Sequence, residues 1–278
     1  MSPRTRRGLL AGVGALLPAL AGCSGESLSG RQVHLDPVSP TEAPAPLRVY
    51  PGDLREPLRE AALTGETRRF AARTPVPGQA PVLGADRFAR PRLTGAGEAD
   101  GVYAAAVDAG VRYELIVGAE QADPPPDAAV TPAADLRPER RELVRKAVDG
   151  QSPRVYPETP LGEWVREEFF DGYVSVDGTV YRGREVQQTD AAFFSREVWY
   201  VLSLSPAPDA DPTVELDLRP VPDAVRDALD PVLEERRPDQ SLVSKGTVEP
   251  DVARFARDTP AVLVHTATFA VGLRSTEG

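Results

Sequence analysis

The stretch Tyr173-Val174-Ser175-Val176-Asp177-Gly178-Thr179-Val180-Tyr181 reads as a complete β-hairpin. Apolar and polar residues alternate on either side of Asp177-Gly178, and strand side chains change face at every residue. Asp-Gly suits a two-residue type I′ turn, in which both central residues need positive φ. That turn sets Val176 opposite Thr179 and Val174 opposite Tyr181. Just upstream, Leu161, Trp164, Val165 and Phe169 recur at helical spacing and form one apolar face. A helix followed by a hairpin is therefore the unit from which the fold is read.

Outward from this unit the same order recurs. Leu47-Arg48, Leu136-Arg137 and Leu218-Arg219 each precede a proline-led helical segment. The first carries Leu54, Leu58, Ala61 and Ala62 and stops at Gly65. The second starts at Pro138, carries Leu143, Val144, Ala147 and Val148, and stops at Gly150. The third starts at Pro222 and carries Val225, Ala228, Leu229, Val232 and Leu233. Proline in the first turn and glycine past the end are ordinary helix punctuation, and Pro231 is expected to kink or divide the third helix. Further hairpins are expected at Gly101–Val117, turning at Asp108-Ala109-Gly110, and at Ala261–Leu273, turning at Thr266-Ala267. Val198–Leu204 and the alternating Val214, Leu216 and Leu218 add strands.

These elements predict an α+β fold of antiparallel sheets with flanking helices, in two or three tandem helix–hairpin units. The units run 47–132, 133–220 and 221–278, the last being smaller, and pack separately or as one domain. Side-chain identity between them is low, and an α+β chain also yields such matches by chance.

The N-terminus reads as an address. Arg4, Arg6 and Arg7 precede a weakly apolar run from Gly8 to Leu20, and no acid appears before Glu26. A membrane span needs about 20 apolar residues, more than this run supplies. Arg6-Arg7 followed by Gly8, Leu9 and Leu10 resembles a twin-arginine signal, which exports folded proteins. Leu20-Ala21-Gly22-Cys23 resembles a lipobox, and Cys23 is the one cysteine of the chain. The resemblance implies a signal peptide over 1–22, cleavage before Cys23 and a lipid on its sulfur. Two acyl chains anchor a protein stably where one does not. Residues 23–46 follow as a tether, glycine- and serine-rich at first and then punctuated by Pro37, Pro40, Pro44 and Pro46, with Gln32–Leu35 as a short strand within it.

The net charge is −10, and only two of the 32 basic residues, Lys146 and Lys245, are lysines. Loss of the signal removes three arginines and no acid, so the mature chain is more acidic still. With its export signal, this composition resembles exported lipoproteins of extremely halophilic archaea. A high-GC actinobacterial lipoprotein shares the arginine bias with fewer acids. The acidic surface suits salty water, where screening quenches repulsion between carboxylates. No basic stripe exists to neutralise phosphates, which argues against a nucleic-acid partner.

Candidate chemistry is thin. His34 lies in the tether and His265 at a hairpin tip, and neither has the neighbours of a helical metal motif, so no metal or cofactor is expected. Asp209, Asp211, Glu215 and Asp217 lack the spacing of a calcium loop. Glu163, Glu167, Glu168 and Asp171 offer carboxylates for acid–base work or simply a charged face. Nine of the seventeen aromatic residues fall between Trp164 and Tyr200, as core or as a ligand platform, with Phe193-Phe194 the most exposed pair. The function expected is a lipid-anchored cell-surface protein on the outer face of the membrane, with a binding or envelope-structural ectodomain rather than an enzyme. The alternative is a carboxylate-dependent envelope hydrolase acting on glycans. If Arg6 and Arg7 direct export, replacing both with lysine leaves the chain unprocessed inside the cell, as fractionation and immunoblotting would show; continued export would point to the general secretory route.

Overall fold

The computed structural model describes residues 31–188, 194–237, 239–245 and 248–275. Arg6, Arg7, Leu20, Ala21, Gly22, Cys23 and Phe193 lie outside the described residues. The Asp177-Gly178 hairpin forms in the expected register, with Val176 opposite Thr179 and Val174 opposite Tyr181. Both turn residues have positive φ, 48° and 82°. Its strands, Tyr173–Val176 (β9) and Thr179–Gln188 (β10), belong to a five-stranded sheet. Leu115–Gln121 (β6) and Arg154–Val155 (β8) continue it beyond β10, and Val130–Pro132 (β7) lies beside β9. The helix Pro138–Val148 (α2) contributes Leu143, Val144 and Ala147 to the core of this unit. Pro160–Trp164 (α3) runs into a π-helical turn, Val165–Phe169, which adds Trp164, Val165 and Phe169 to the same core.

Ten other strands make one larger sheet. In spatial order they are Leu242–Val243 (β13), Arg31–Val38 (β1), Ala267–Ser275 (β15), Ala261–Val264 (β14) and Leu47–Val49 (β2). Val214–Asp217 (β12), Pro91–Thr94 (β4), Gly101–Val111 (β5), Glu197–Pro206 (β11) and Arg68–Arg73 (β3) complete it. The helix Gly52–Thr64 (α1) ends at Gly65, whose φ of 68° closes it in the left-handed conformation. It touches β2 in mid-sheet and β11 and β3 at the far edge, so the sheet curls round it. Asp223–Glu234 (α4) and Pro250–Asp258 (α5) cover the opposite face over β1, β14 and β15. Alternation along β2 and β14 serves both layers: Leu47, Val49, Ala261 and Leu263 face α1, while Tyr50, Val262 and Val264 face α4 and α5.

The architecture is α+β, but its sheets are mixed. β14, β2, β12 and β4 are mutually parallel, and β7 is parallel to β9. Parallel neighbours need long crossovers, and the helices supply them. Three tandem helix–hairpin units do not describe this arrangement, since the ten-stranded sheet draws on all three segments. Residues 101–117 are not a hairpin: β5 runs straight through Asp108-Ala109-Gly110 to pair with β11, and β6 belongs to the other sheet. Gly110 there is a packing requirement, because a Cβ would sit 3.0 Å from Trp199 Nε1. The C-terminal hairpin exists, but Val264 pairs with Ala267, so His265-Thr266 makes the turn. Pro231 does not divide α4; the carbonyl it frees belongs to exposed Asp227, where water can satisfy it. The short strand expected at Gln32–Leu35 forms and extends over Arg31–Val38, paired along its whole length with β15, so residues 31–38 are sheet rather than tether. Its Val33 and Leu35 alternate into the core.

The two central parallel strands are locked by charge. Arg48 Nη2 and Asp217 Oδ2 lie 2.7 Å apart, with 7% and 4% of their side chains exposed. Arg219 Nη2 reaches the same oxygen at 2.6 Å, and Phe255 of α5 lies under the Arg48 guanidinium. Removing one partner of a buried pair strands the other charge. Asp217→Ala should therefore cost about 3–5 kcal/mol in urea unfolding; a loss within experimental error would show that Arg48 finds another partner.

Candidate functional site

β2 and β12 are adjacent and parallel, yet the helices that follow them, α1 and α4, lie on opposite faces of the sheet. Ligands of open α/β sheets commonly bind at the carboxyl ends of the strands near such a switch, and here a crevice lies at the ends of β2 and its other parallel neighbour, β14. Tyr50 and Asp53 enter it from the start of α1, and His265 and Thr266 from the turn after β14.

His265 is 5% exposed, and its ring is held on both sides. Nε2 lies 2.9 Å from Asp53 Oδ1, and Nδ1 lies 3.0 Å from Tyr200 Oη. An ionised carboxylate only accepts, so Nε2 carries a proton towards Asp53; in the neutral ring Nδ1 then accepts from the phenol. Burial raises the Asp53 carboxyl, but the His265 bond and backbone N–H groups at the helix start outweigh it and hold its pKa below the ordinary value. Burial, and then the Asp53 charge, push the Tyr200 phenol well above its usual range. Tyr200 also stacks on Phe70, with ring centres 4.7 Å apart. The relay thus ties α1, β11 and the β14–β15 turn together. Across the crevice Tyr50 Oη donates to Asp230 Oδ1 at 2.7 Å, joining β2 to α4.

Two cavities meet here. The smaller, about 150 Å³, is lined by Tyr50, Asp53, Arg73, Asp230, Arg236 and His265 among others. The larger, about 460 Å³, lies on the far side of Arg236, under the β14–β15 turn, with Gln79, Arg237, Asp239, Thr266 and Phe269 in its wall. Arg236 lines both, although only 7% of it is exposed. Its Nη1 donates to Leu233 O at 3.0 Å and its Nη2 to Thr266 Oγ1 at 2.6 Å, while Nε has no partner. Desolvation lowers its pKa to about 10, which leaves it charged at neutral pH.

The side chains singled out in the sequence are dispersed. His34 stands in β1 opposite Gly272 and Val243, inside the sheet. Asp209 and Asp211 are exposed in a loop, whereas Asp217 is buried in its arginine pair. Glu163 pairs with Arg69 at 2.9 Å, Glu168 accepts from Trp164 Nε1 at 2.9 Å, and Asp171 lies 3.6 Å from Arg182. These carboxylates are engaged one by one and do not converge on a cavity. Among the described residues no group of three or more histidine, cysteine, aspartate or glutamate residues is arranged to hold a metal ion. The aromatic run is split: Trp164 and Phe169 lie in the small core, Tyr200 in the large one, and Phe194 is 78% exposed. Arg236, Gln79, Asp53 and Tyr50 were not foreseen. Arg236 carries a faint signal, since it ends the apolar spacing of α4 where a solvated charge is ordinary.

Residues 112–184 match a family described as a family of unknown function, DUF7979. The match covers most of the five-stranded unit, ending within β10, and stops short of the crevice. No curated protein and no solved structure matches the chain.

Since the folded-state pKa of Asp53 lies below its ordinary value of 3.8, this carboxylate stabilises the fold above that pH, and the contribution is lost as pH falls through the lowered value. Asp53→Asn should be less stable than the parent at pH 5, with the gap in urea midpoint closing towards pH 3. A gap that is constant with pH would show that the charge of Asp53 has no part in the relay.

Proposed function

We propose that this is an exported protein, anchored by lipid on Cys23 to the outer face of the cell membrane, whose ectodomain binds a small ligand rather than transforming it. Arg6-Arg7 and Leu20-Ala21-Gly22-Cys23 support the address, and the acidic, arginine-biased composition supports a salty exterior. Among the described residues no helix is long and apolar enough to cross a membrane. In this reading attachment rests on the lipid.

The observation that carries the binding half is the pair of cavities meeting at Arg236, beside titratable groups that are already committed to one another. A general base must reach the proton of a substrate or of an accessible nucleophile. His265 Nε2 donates to Asp53 and Nδ1 accepts from Tyr200, whose side chain is itself buried, so the ring braces the cavity wall. A glycan hydrolase working through two carboxylates needs both to face one cleft about 5–9.5 Å apart. Glu163 and Glu168 instead each hold a separate partner.

The address is tested with Cys23→Ser, which should release the chain into the medium or leave it unprocessed in the membrane fraction assay. Unchanged membrane retention and mobility would rule out the lipid anchor. Release of reducing ends from envelope glycans by the purified parent would replace the binding reading with the hydrolase.

A further inference from the structure

We propose that the larger cavity, beneath the β14–β15 turn, binds a small carboxylate that also carries a hydroxyl or amino group. This deepens the binding reading and rests on it.

The first argument is an uncompensated charge. Arg236 is more than nine-tenths buried, and burial alone shifts its guanidinium, with no described carboxylate close enough to contribute. Buried charges are ordinarily paired. Its five N–H donors make two bonds, both to neutral oxygens, Leu233 O and Thr266 Oγ1. A planar guanidinium with donors to spare matches a planar carboxylate, which accepts two parallel N–H bonds.

The second argument is an orphaned acceptor. Gln79 Nε2 donates to Thr266 O at 2.9 Å, which fixes the orientation of the amide and leaves Oε1 buried without a donor. Arg236 and Gln79 therefore converge on the same residue, Thr266, and have complementary deficits: one lacks an anion, the other a donor. A ligand bearing both a carboxylate and an O–H or N–H group answers both deficits once the Gln79 amide, whose Oε1 is closed off in this structure, turns towards the cavity. The remaining charges in the wall are Arg237 and Asp239. With two cations against one anion, a singly charged ligand suits this wall better than a dianion such as phosphate, the more so in a chain of net charge −10. A volume of about 460 Å³ is within the range of small-molecule sites, and Val82 and Phe269 supply an apolar floor.

The test uses calorimetric titration of the purified full chain at pH 7 with glucuronate, glucose, cyclohexanecarboxylate and inorganic phosphate. Glucuronate should bind at least tenfold more tightly than glucose, which lacks the charge, and than cyclohexanecarboxylate, which lacks the hydroxyls. Arg236→Gln should weaken glucuronate at least tenfold. Should that variant fail to fold, Arg236→Lys serves instead: it keeps the charge but loses the planar fork that holds a carboxylate by two bonds, and should weaken glucuronate at least tenfold. Absence of glucuronate binding to the folded parent, or affinity unchanged in the folded variants, would overturn the proposal, as would phosphate binding more tightly than glucuronate. Recovery of glucuronate unaltered after prolonged incubation upholds the binding reading, whereas its conversion would sink that reading while leaving the anion site in place.

Discussion

At the centre of the larger sheet, Arg48 and Asp217 join two strands that lie 169 residues apart in the chain. Burial alone lowers the pKa of Arg48 and raises that of Asp217. The hydrogen bonds from the Arg219 side chain and backbone N–H, and then the charge of Arg48, more than reverse the penalty on the aspartate and hold it below its ordinary value. Each charge would be costly in that layer without the other, so the pair specifies which strands are neighbours as much as it stabilises them. Phe255 of α5 lies under the same guanidinium, which carries the constraint into the helical layer. The contact therefore ties the parallel seam to α5. The crevice lies close by, at the carboxyl ends of β2 and β14.

The crevice is assembled from short-range devices on distant segments. Asp53 opens α1, His265 turns the last hairpin, and Tyr200 is fixed in β11 by pairing on both sides. Their hydrogen-bonded chain is satisfied within the protein, which makes it a brace. Arg236 differs because its burial is not matched by an internal anion. Two buried arginines in one domain thus have opposite electrostatic accounts: Arg48 is compensated inside the fold, and Arg236 has spare donors against a cavity.

Arg112, at the N-terminal border of the five-stranded unit, bridges that unit to this body. Its guanidinium lies 2.6 Å from Glu158 and 3.1 Å from Glu197 of β11, and 3.4 Å from the centre of the Tyr156 ring. Arg69 of β3 adds a bond to Glu163 at 2.9 Å. Residues 112–184, the range of the family match, correspond to a sub-structure with its own core, while the cavities belong to the surrounding sheet.

Local patterns alone determined the Asp177-Gly178 hairpin with its register, the helices at Leu54–Gly65, Pro138–Gly150 and Pro222–Leu233, and the strands at Val198–Leu204 and Val214–Leu218. In these, periodicity, capping and turn chemistry act over a few residues and need no distant partner. The acidic composition was equally legible, since it needs no structure to be counted. Only tertiary structure decided that β2, β12, β4 and β14 run parallel, that β5 passes straight through Asp108-Ala109-Gly110, and that the strand read at Gln32–Leu35 extends over Arg31–Val38 and pairs with β15. The reason is physical: a parallel pairing leaves no mark on either strand, and Gly110 is shaped by a tryptophan 89 residues away. The candidate site was hidden for the same reason. Asp53, Tyr200, Arg236 and His265 are ordinary residues one at a time, and become a site only where folding removes their water and sets them against each other.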